Sequence, residues 1–325
     1  MDMRNFFITA FFLACTAASQ AQTTDQLEKA VKVDITQLVA HPALDATRKG
    51  VEDYLAEAGY KVGKNLKINF QSAQGSITTA TQIARQFAGE KPDVIVAIST
   101  PSAQTMAAAT KTTPIVFATV TDPVEAKLVA SLERPGGNIT GVSDRSDVAA
   151  NLALLKEIKP DLKKLGYLYN ASEANSVSTL KTLRALAKPY EIEIIPSAAP
   201  KSADVQAATR ALIGKVDIIY VPTDNTVIAV LEGAVQVGNE TKTPIFTADA
   251  TSINRGAFAA QGTDYYQHGR QVGALVVRIL KGEKPDTLAV TTGDNDKISL
   301  NLREARLIGL TIPQSVINKA ARVLP

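Results

Sequence analysis

Two short stretches of this chain place polar side chains where a strand hands over to a helix. In Lys91 to Thr105, KPDVIVAISTPSAQT, the β-branched run Val94 to Ile98 stops at Ser99-Thr100-Pro101-Ser102 and an alanine-rich helical pattern follows. In Lys215 to Thr226, KVDIIYVPTDNT, a similar run ends at Thr223-Asp224-Asn225. The first loop offers neutral hydroxyls from Thr100 and Ser102, with the N–H groups of Ser102 and Ala103 at the positive end of a helix dipole. That set suits an anion. The second loop carries Asp224, and the next strand end carries Asp249, which suits a cation. A molecule with both a carboxylate and an ammonium, such as an amino acid, would satisfy both. Taken singly, Thr100, Ser102, Asp224 and Asn225 are also ordinary helix caps, each worth about 1 kcal/mol. Their matched placement with opposite charge preference is what points to a ligand.

The elements that must position these loops come from an internal repeat. TPIVFATVTD, Thr113 to Asp122, matches TPIFTADATS, Thr243 to Ser252, and VDITQLVAHPALDATRKG and LGYLYNASEANSVSTLKT each read as strand, polar loop, helix. Strands are predicted at 32–39, 66–71, 93–99, 114–119, 165–169, 191–196, 217–221, 244–248 and 257–261, with helices such as 44–58 and 265–280 between them. Short apolar strands separated by amphipathic helices argue for parallel α/β sheets with right-handed crossovers. The expected fold is α/β, with two Rossmann-like lobes whose parallel sheets face each other around a central cleft. Ligands of such sheets sit beyond the carboxyl ends of the strands, so the loops at 37–42, 99–103, 120–123, 170–176, 223–225 and 249–251 form the expected cleft. Asp122, before Pro123, reads as a cap alone.

Composition excludes several functions. With 35 basic and 32 acidic residues spread along 325 positions, the net charge of +3 leaves no footprint for nucleic acid. His41 and His268 are the only histidines, and no G-x-S-x-G or H-E-x-x-H is present, so the chain reads as no enzyme, without metal or cofactor. A basic residue, an apolar run from Phe6 to Ala14, and small residues at Ser19 and Ala21 read as a signal peptide over residues 1–21. Cys15, the only cysteine, is removed with it, unless it is the lipid-modified first residue of a lipoprotein. No later apolar run reaches the roughly 20 residues that span a bilayer. The expected location is the periplasm.

The segments QLVAHPALDATRKG, ISTPSAQT, PIVFATVTDPVEAKLVASLERPGGNITGVSD, YNASEANS, YVPTDNT and LREARLIGLTIPQSV together resemble the ABC-transporter substrate-binding family often described as tryptophan/tyrosine-type. The resemblance covers essentially the whole mature chain. It implies a periplasmic-binding-protein type I architecture: a monomer that closes around a small molecule and delivers it to an ABC permease in the inner membrane. It implies a first lobe of residues 31–142 plus 255–287 and a second of 143–254 plus 288–325. The ligand residues it implies are Gln37, His41, Thr100, Ser102, Ala103, Glu173, Asn175, Ser176, Thr223, Asp224, Asn225 and Asp249. The expected ligand is an amino acid, and an aromatic one on the family's pattern. Asp224 or Asp249 would take the ammonium, and Tyr169, Phe117 and Tyr265 could hold the side chain; Tyr266 could also line the cleft. Other readings are a sugar or carboxylate as ligand, or a periplasmic receptor for a sensor.

Overall fold

The computed structural model describes residues 30–293 and 297–325. The expected leader at 1–21, with Cys15, lies outside the described residues. In chain order the first sheet and its helices are β1 (Val31–Gln37), α1 (Pro42–Glu57), β2 (Leu66–Ser72), α2 (Ile77–Glu90), β3 (Val94–Ile98), α3 (Thr100–Ala109), β4 (Ile115–Val120) and β5 (Ile139–Ser143). The second unit follows with α4 (Val148–Ile158), β6 (Lys164–Tyr169), α5 (Ala174–Ala187), β7 (Glu193–Ala198), α6 (Val205–Arg210), β8 (Ile218–Val221), α7 (Asn225–Ala229), α8 (Leu231–Thr241), β9 (Ile245–Thr247) and β10 (Ala259–Gly262). The chain returns to the first unit for α9 (Tyr265–Leu280) and β11 (Thr291–Thr292), and ends in the second with β12 (Lys297–Asn301), α10 (Leu302–Leu307), α11 (Gln314–Lys319) and β13 (Arg322–Leu324).

The first sheet runs β2-β1-β3-β4-β5-β11 and the second β7-β6-β8-β9-β10-β12-β13. Strands one to five of each unit therefore take the same order, which is the repeat seen in the sequence. All pairings are parallel except β10 with β12. Side-chain alternation explains why both faces are covered. Val94, Val96 and Ile98 of β3 join the core under α1 and α9, whereas Ile95 and Ala97 join the core under α2 and α3. In β8, Ile218 and Tyr220 pack on one side and Ile219 and Val221 on the other.

Two passages between the units lie later than the sequence reading put them. The return expected near Asn254-Arg255 falls inside the second unit, because β10 pairs with β9 and β12 and Phe258 is buried in the second core. The chain leaves that sheet after Gly262 and enters α9 at Tyr265. Likewise the passage expected near Thr287-Leu288 comes later, since β11 still pairs with β5. Strand β5 was not among the predicted strands because Gly141 interrupts its apolar pattern. A Cβ there would stand 2.2 Å from the Phe117 carbonyl oxygen, so the close approach of β4 requires glycine.

Helix α9 packs along α1, and both carry cleft residues at their amino ends. Glycine makes the contact close: a Cβ on Gly269 would lie 2.0 Å from the Thr47 carbonyl oxygen. Alanine is about 1 kcal/mol better than glycine in a helix interior, but this overlap is with backbone that cannot turn away. Gly269→Ala should therefore cost a net 1–3 kcal/mol or so, read as a lower urea midpoint with an unchanged slope.

Candidate functional site

The strand ends of the two units close on a narrow cavity of ≈ 20 Å³. His41, Ala43, Leu44, Thr119, Asp144 and Tyr265 line it from the first unit, and Thr223, Asp224, Asn225, Ile228 and Asp249 from the second. That is room for little more than one water, far below the roughly 300–1,000 Å³ of small-molecule sites, so an organic ligand enters only where the walls move apart. Three carboxylates line it, and neither Lys nor Arg is among the described residues that do. A larger open groove of ≈ 450 Å³, lined by Val31, Pro114 and Asp286 among others, lies at the amino ends of first-sheet strands, whereas ligands of such sheets bind beyond the carboxyl ends.

The second-unit wall is a preorganised polar network. Asp224 caps α7 by accepting from the Val227 N–H at 2.9 Å, and its other oxygen accepts from the Asn170 N–H at 2.7 Å and the Ser176 hydroxyl at 2.6 Å. Glu173 is buried behind it and takes the next two donors of the helix, the N–H groups of Asn225 at 3.0 Å and Thr226 at 2.9 Å. Burial, and then the neighbouring Glu173 charge, push the Asp224 carboxyl up to about 8. Asp249 likewise serves its own loop, accepting from the Thr251 N–H and from the hydroxyls of Thr251 and Ser252.

The first-unit wall presents donors. His41 precedes α1 without capping it, so the N–H groups of Ala43 and Leu44, at the cavity, get no side-chain partner there. The imidazole is buried and makes no well-formed hydrogen bond through either nitrogen, with the Asn225 side chain beside it. Burial lowers its basicity, and the Asp249 carboxylate opposes that. Helix α3 is also uncapped, the Thr100 hydroxyl is buried without a partner, and Ser99 is held at φ 90°, ψ 153°. That conformation is nearly confined to glycine, and strain of this kind gathers at functional sites. Thr119, at φ 51°, is a second such residue; its N–H donates to His268 Nε2 at 3.0 Å. Burial alone holds His268 down to about 4, so the ring is neutral at pH 7, with its proton on Nδ1. His268→Leu would strand that N–H at a cost of about 2 kcal/mol, measurable as a lower urea midpoint at pH 7.

Of the residues the sequence named, His41, Thr223, Asp224, Asn225 and Asp249 meet at the cavity wall. Glu173, Asn175 and Ser176 stand behind it: Asn175 donates to the Thr223 carbonyl at 2.8 Å, and Ser176 holds Asp224. Gln37 braces α1, donating to the Val39 carbonyl and the Asp45 carboxylate. Thr100, Ser102 and Ala103 are buried at the start of α3 and are not part of the wall. Two suggested side-chain contacts are corrected. Phe117 lies in the first core, and Tyr169 packs on the Tyr167 ring, because alternation turns both into the layers beside their sheets. Tyr265 lines the cavity, whereas Tyr266 donates to Asp53 at the α1 contact. Sequence reasoning missed Asp144 and Thr119. The signal for Asp144 was a carboxylate one residue past a strand end, hidden because β5 itself went unread.

Contacts between the units close the cleft mouth. The hydroxyls of Thr121 and Thr223 stand 3.2 Å apart, the Ser178 hydroxyl donates to Asp122 at 3.2 Å, and Lys181 pairs with Glu125 at 3.0 Å. Asp122 is thus more than a cap. A family model described as ABC transporter substrate binding protein matches residues 32–324. A tyrosine-binding protein of Clostridioides difficile is 42% identical over 285 residues, 88% of this chain and 82% of that protein. The crystal structure of an ABC domain from Streptococcus pneumonia in complex with L-Trp gives a TM-score of 0.88 at 34% identity, covering 91% of this chain and 100% of that one. The ligand-free, open structure of a Clostridium difficile substrate binding protein with adhesive properties gives only 0.69 at 39% identity, covering 91% and 99%. This chain superposes better on the L-Trp complex than on that ligand-free, open structure. With two matched sheets closed on a polar cavity and a family match over nearly all its described residues, the chain belongs to the ABC transporter substrate-binding family.

Proposed function

We propose that this chain is the exported binding component of an ABC importer, and that its ligand is a zwitterionic amino acid with an aromatic side chain. The observation that carries this reading is the cavity wall: three carboxylates and, among the described residues, neither Lys nor Arg, together with the uncapped amino end of α1. A cationic group satisfies the carboxylates. A carboxylate suits the first unit, through the α1 N–H groups and His41. Leu44, Ile228 and Tyr265 supply apolar surface for a side chain. The relatives support the same class, one being a tyrosine-binding protein and one an L-Trp complex.

In this reading the protein works as a monomer in the periplasm once residues 1–21 are removed. The two units act as lobes hinged at the three chain passages, and the ligand stabilises the closed form by its differential affinity for it. An inner-membrane permease receives the ligand. A thermal-shift screen tests the ligand class: an amino acid at about 100 times its Kd should add about 2.7 kcal/mol of stability. L-tyrosine or L-tryptophan should raise the Tm most. A sugar or an amine-free carboxylate that raises it while no amino acid does would overturn the reading.

A further inference from the structure

We infer that Asp144 is the residue that selects for the ligand's ammonium, and that it couples ligand occupancy to closure through Thr121. This rests on the amino-acid reading above and names the residue within it. The other two cavity carboxylates already serve their own loops. Asp224 caps α7 and holds the Asn170 loop, and Asp249 caps the turn that follows it. Asp144 caps none of the described helices. It lies just past β5, where the chain leaves the first sheet for α4, and is buried at the cavity.

Its contacts tie it to both lobes. The Thr121 hydroxyl donates to Asp144 Oδ1 at 3.0 Å, and the Tyr265 hydroxyl donates to Oδ2 at 3.4 Å. A hydroxyl has one proton, so Thr121, having given it to the carboxylate, must accept from Thr223 across the cleft at 3.2 Å. The result is a directed chain, Thr223 to Thr121 to Asp144, whose polarity is set by a negative charge at its end. It crosses between lobes and can form only when they meet. A ligand ammonium beside Asp144 is drawn to the carboxylate that ends the chain, which holds the chain in that polarity and favours the closed form.

The test compares L-tyrosine and L-tryptophan with 3-(4-hydroxyphenyl)propanoate and indole-3-propanoate, which lack only the amine, by isothermal titration of the mature protein. Wild type should prefer the amino acids. Asp144→Asn should weaken them by about 30-fold or more, as expected when one partner of a buried charge pair is removed. It should leave the amine-free acids within about 3-fold, which also shows that the variant is folded. Thr223→Val should weaken all four ligands by roughly 3- to 10-fold, the range of one hydrogen bond, and keep the preference for the amine. A wild-type protein that binds the amino acids while Asp144→Asn keeps that preference, or loses both ligand types equally, overturns this inference alone. A wild-type protein that binds neither amino acid overturns the amino-acid reading and this inference with it.

Discussion

Glu173→Ala should destabilise the protein by about 3–4 kcal/mol and abolish tight ligand binding, although Glu173 does not line the cavity. Its carboxylate accepts five hydrogen bonds: from the Asn225 and Thr226 N–H groups, from their side chains at 2.6 and 2.7 Å, and from Asn175 at 3.2 Å. Together with Asp224 it meets the donors of the first turn of α7, a helix of five residues with little cohesion of its own. Without it two N–H groups are stranded at about 1–3 kcal/mol each, offset in part because one buried charge no longer sits beside Asp224. Against a total stability of about 5–15 kcal/mol that is a large fraction. Thr223, Asp224 and Asn225 would lose their placement together. Urea unfolding measures the stability, and titration with an amino acid measures the binding. Glu173→Gln should also be impaired, because its amide N–H₂ would face donors. A Glu173→Ala protein within about 1 kcal/mol of wild type would show that α7 does not depend on this cap.

The same residue shows how much of the site could be read from the sequence. The repeat, the sheet class and the loops that face the cleft were legible because buried parallel strands are continuous apolar runs, and because cap-forming residues mark where helices begin. Helix α9 was predicted over residues 265–280, as it is observed, since its apolar spacing holds for four turns. What one-dimensional pattern cannot carry is which polar groups already have partners. Glu173, Asn175 and Ser176 look like ligand residues in the sequence, yet their hydrogen bonds are spent on α7 and Asp224, elements about 50 positions away. Asp144 had the converse problem: Gly141 breaks its strand, so nothing flagged the carboxylate after it. The passages between lobes were misplaced for a related reason. Nothing local in Ala257 to Gln261 says which sheet it will pair with; that is decided by β9 and β12.

Between about pH 6.5 and 8 the unliganded protein should lose roughly 1 kcal/mol of stability. The folded Asp224 carboxyl holds its proton to about 8, whereas the unfolded one releases it near 3.8. Between those values the folded state carries the extra proton, and stability falls as pH rises, by about 1.4 kcal/mol per unit for one full proton. The imidazoles act in the opposite sense. His41 and His268 are both lowered from 6.5 by burial, His268 to about 4, so the unfolded state carries the extra protons as pH falls below 6.5. On the acid side the two histidines outweigh Asp224, and above 6.5 Asp224 outweighs them. The maximum of stability should therefore sit near pH 6.5. Asp224→Asn should flatten the alkaline decline and steepen the acid one. A bound ammonium stabilises the ionised carboxylate, so a saturating amino acid should flatten the decline too, and affinity should rise with pH across this window. Titrations in buffers of different ionisation enthalpy should then detect up to one proton released on binding. Should Asp224→Asn keep the wild-type slope between pH 6.5 and 8, the carboxylate that holds the proton is not Asp224.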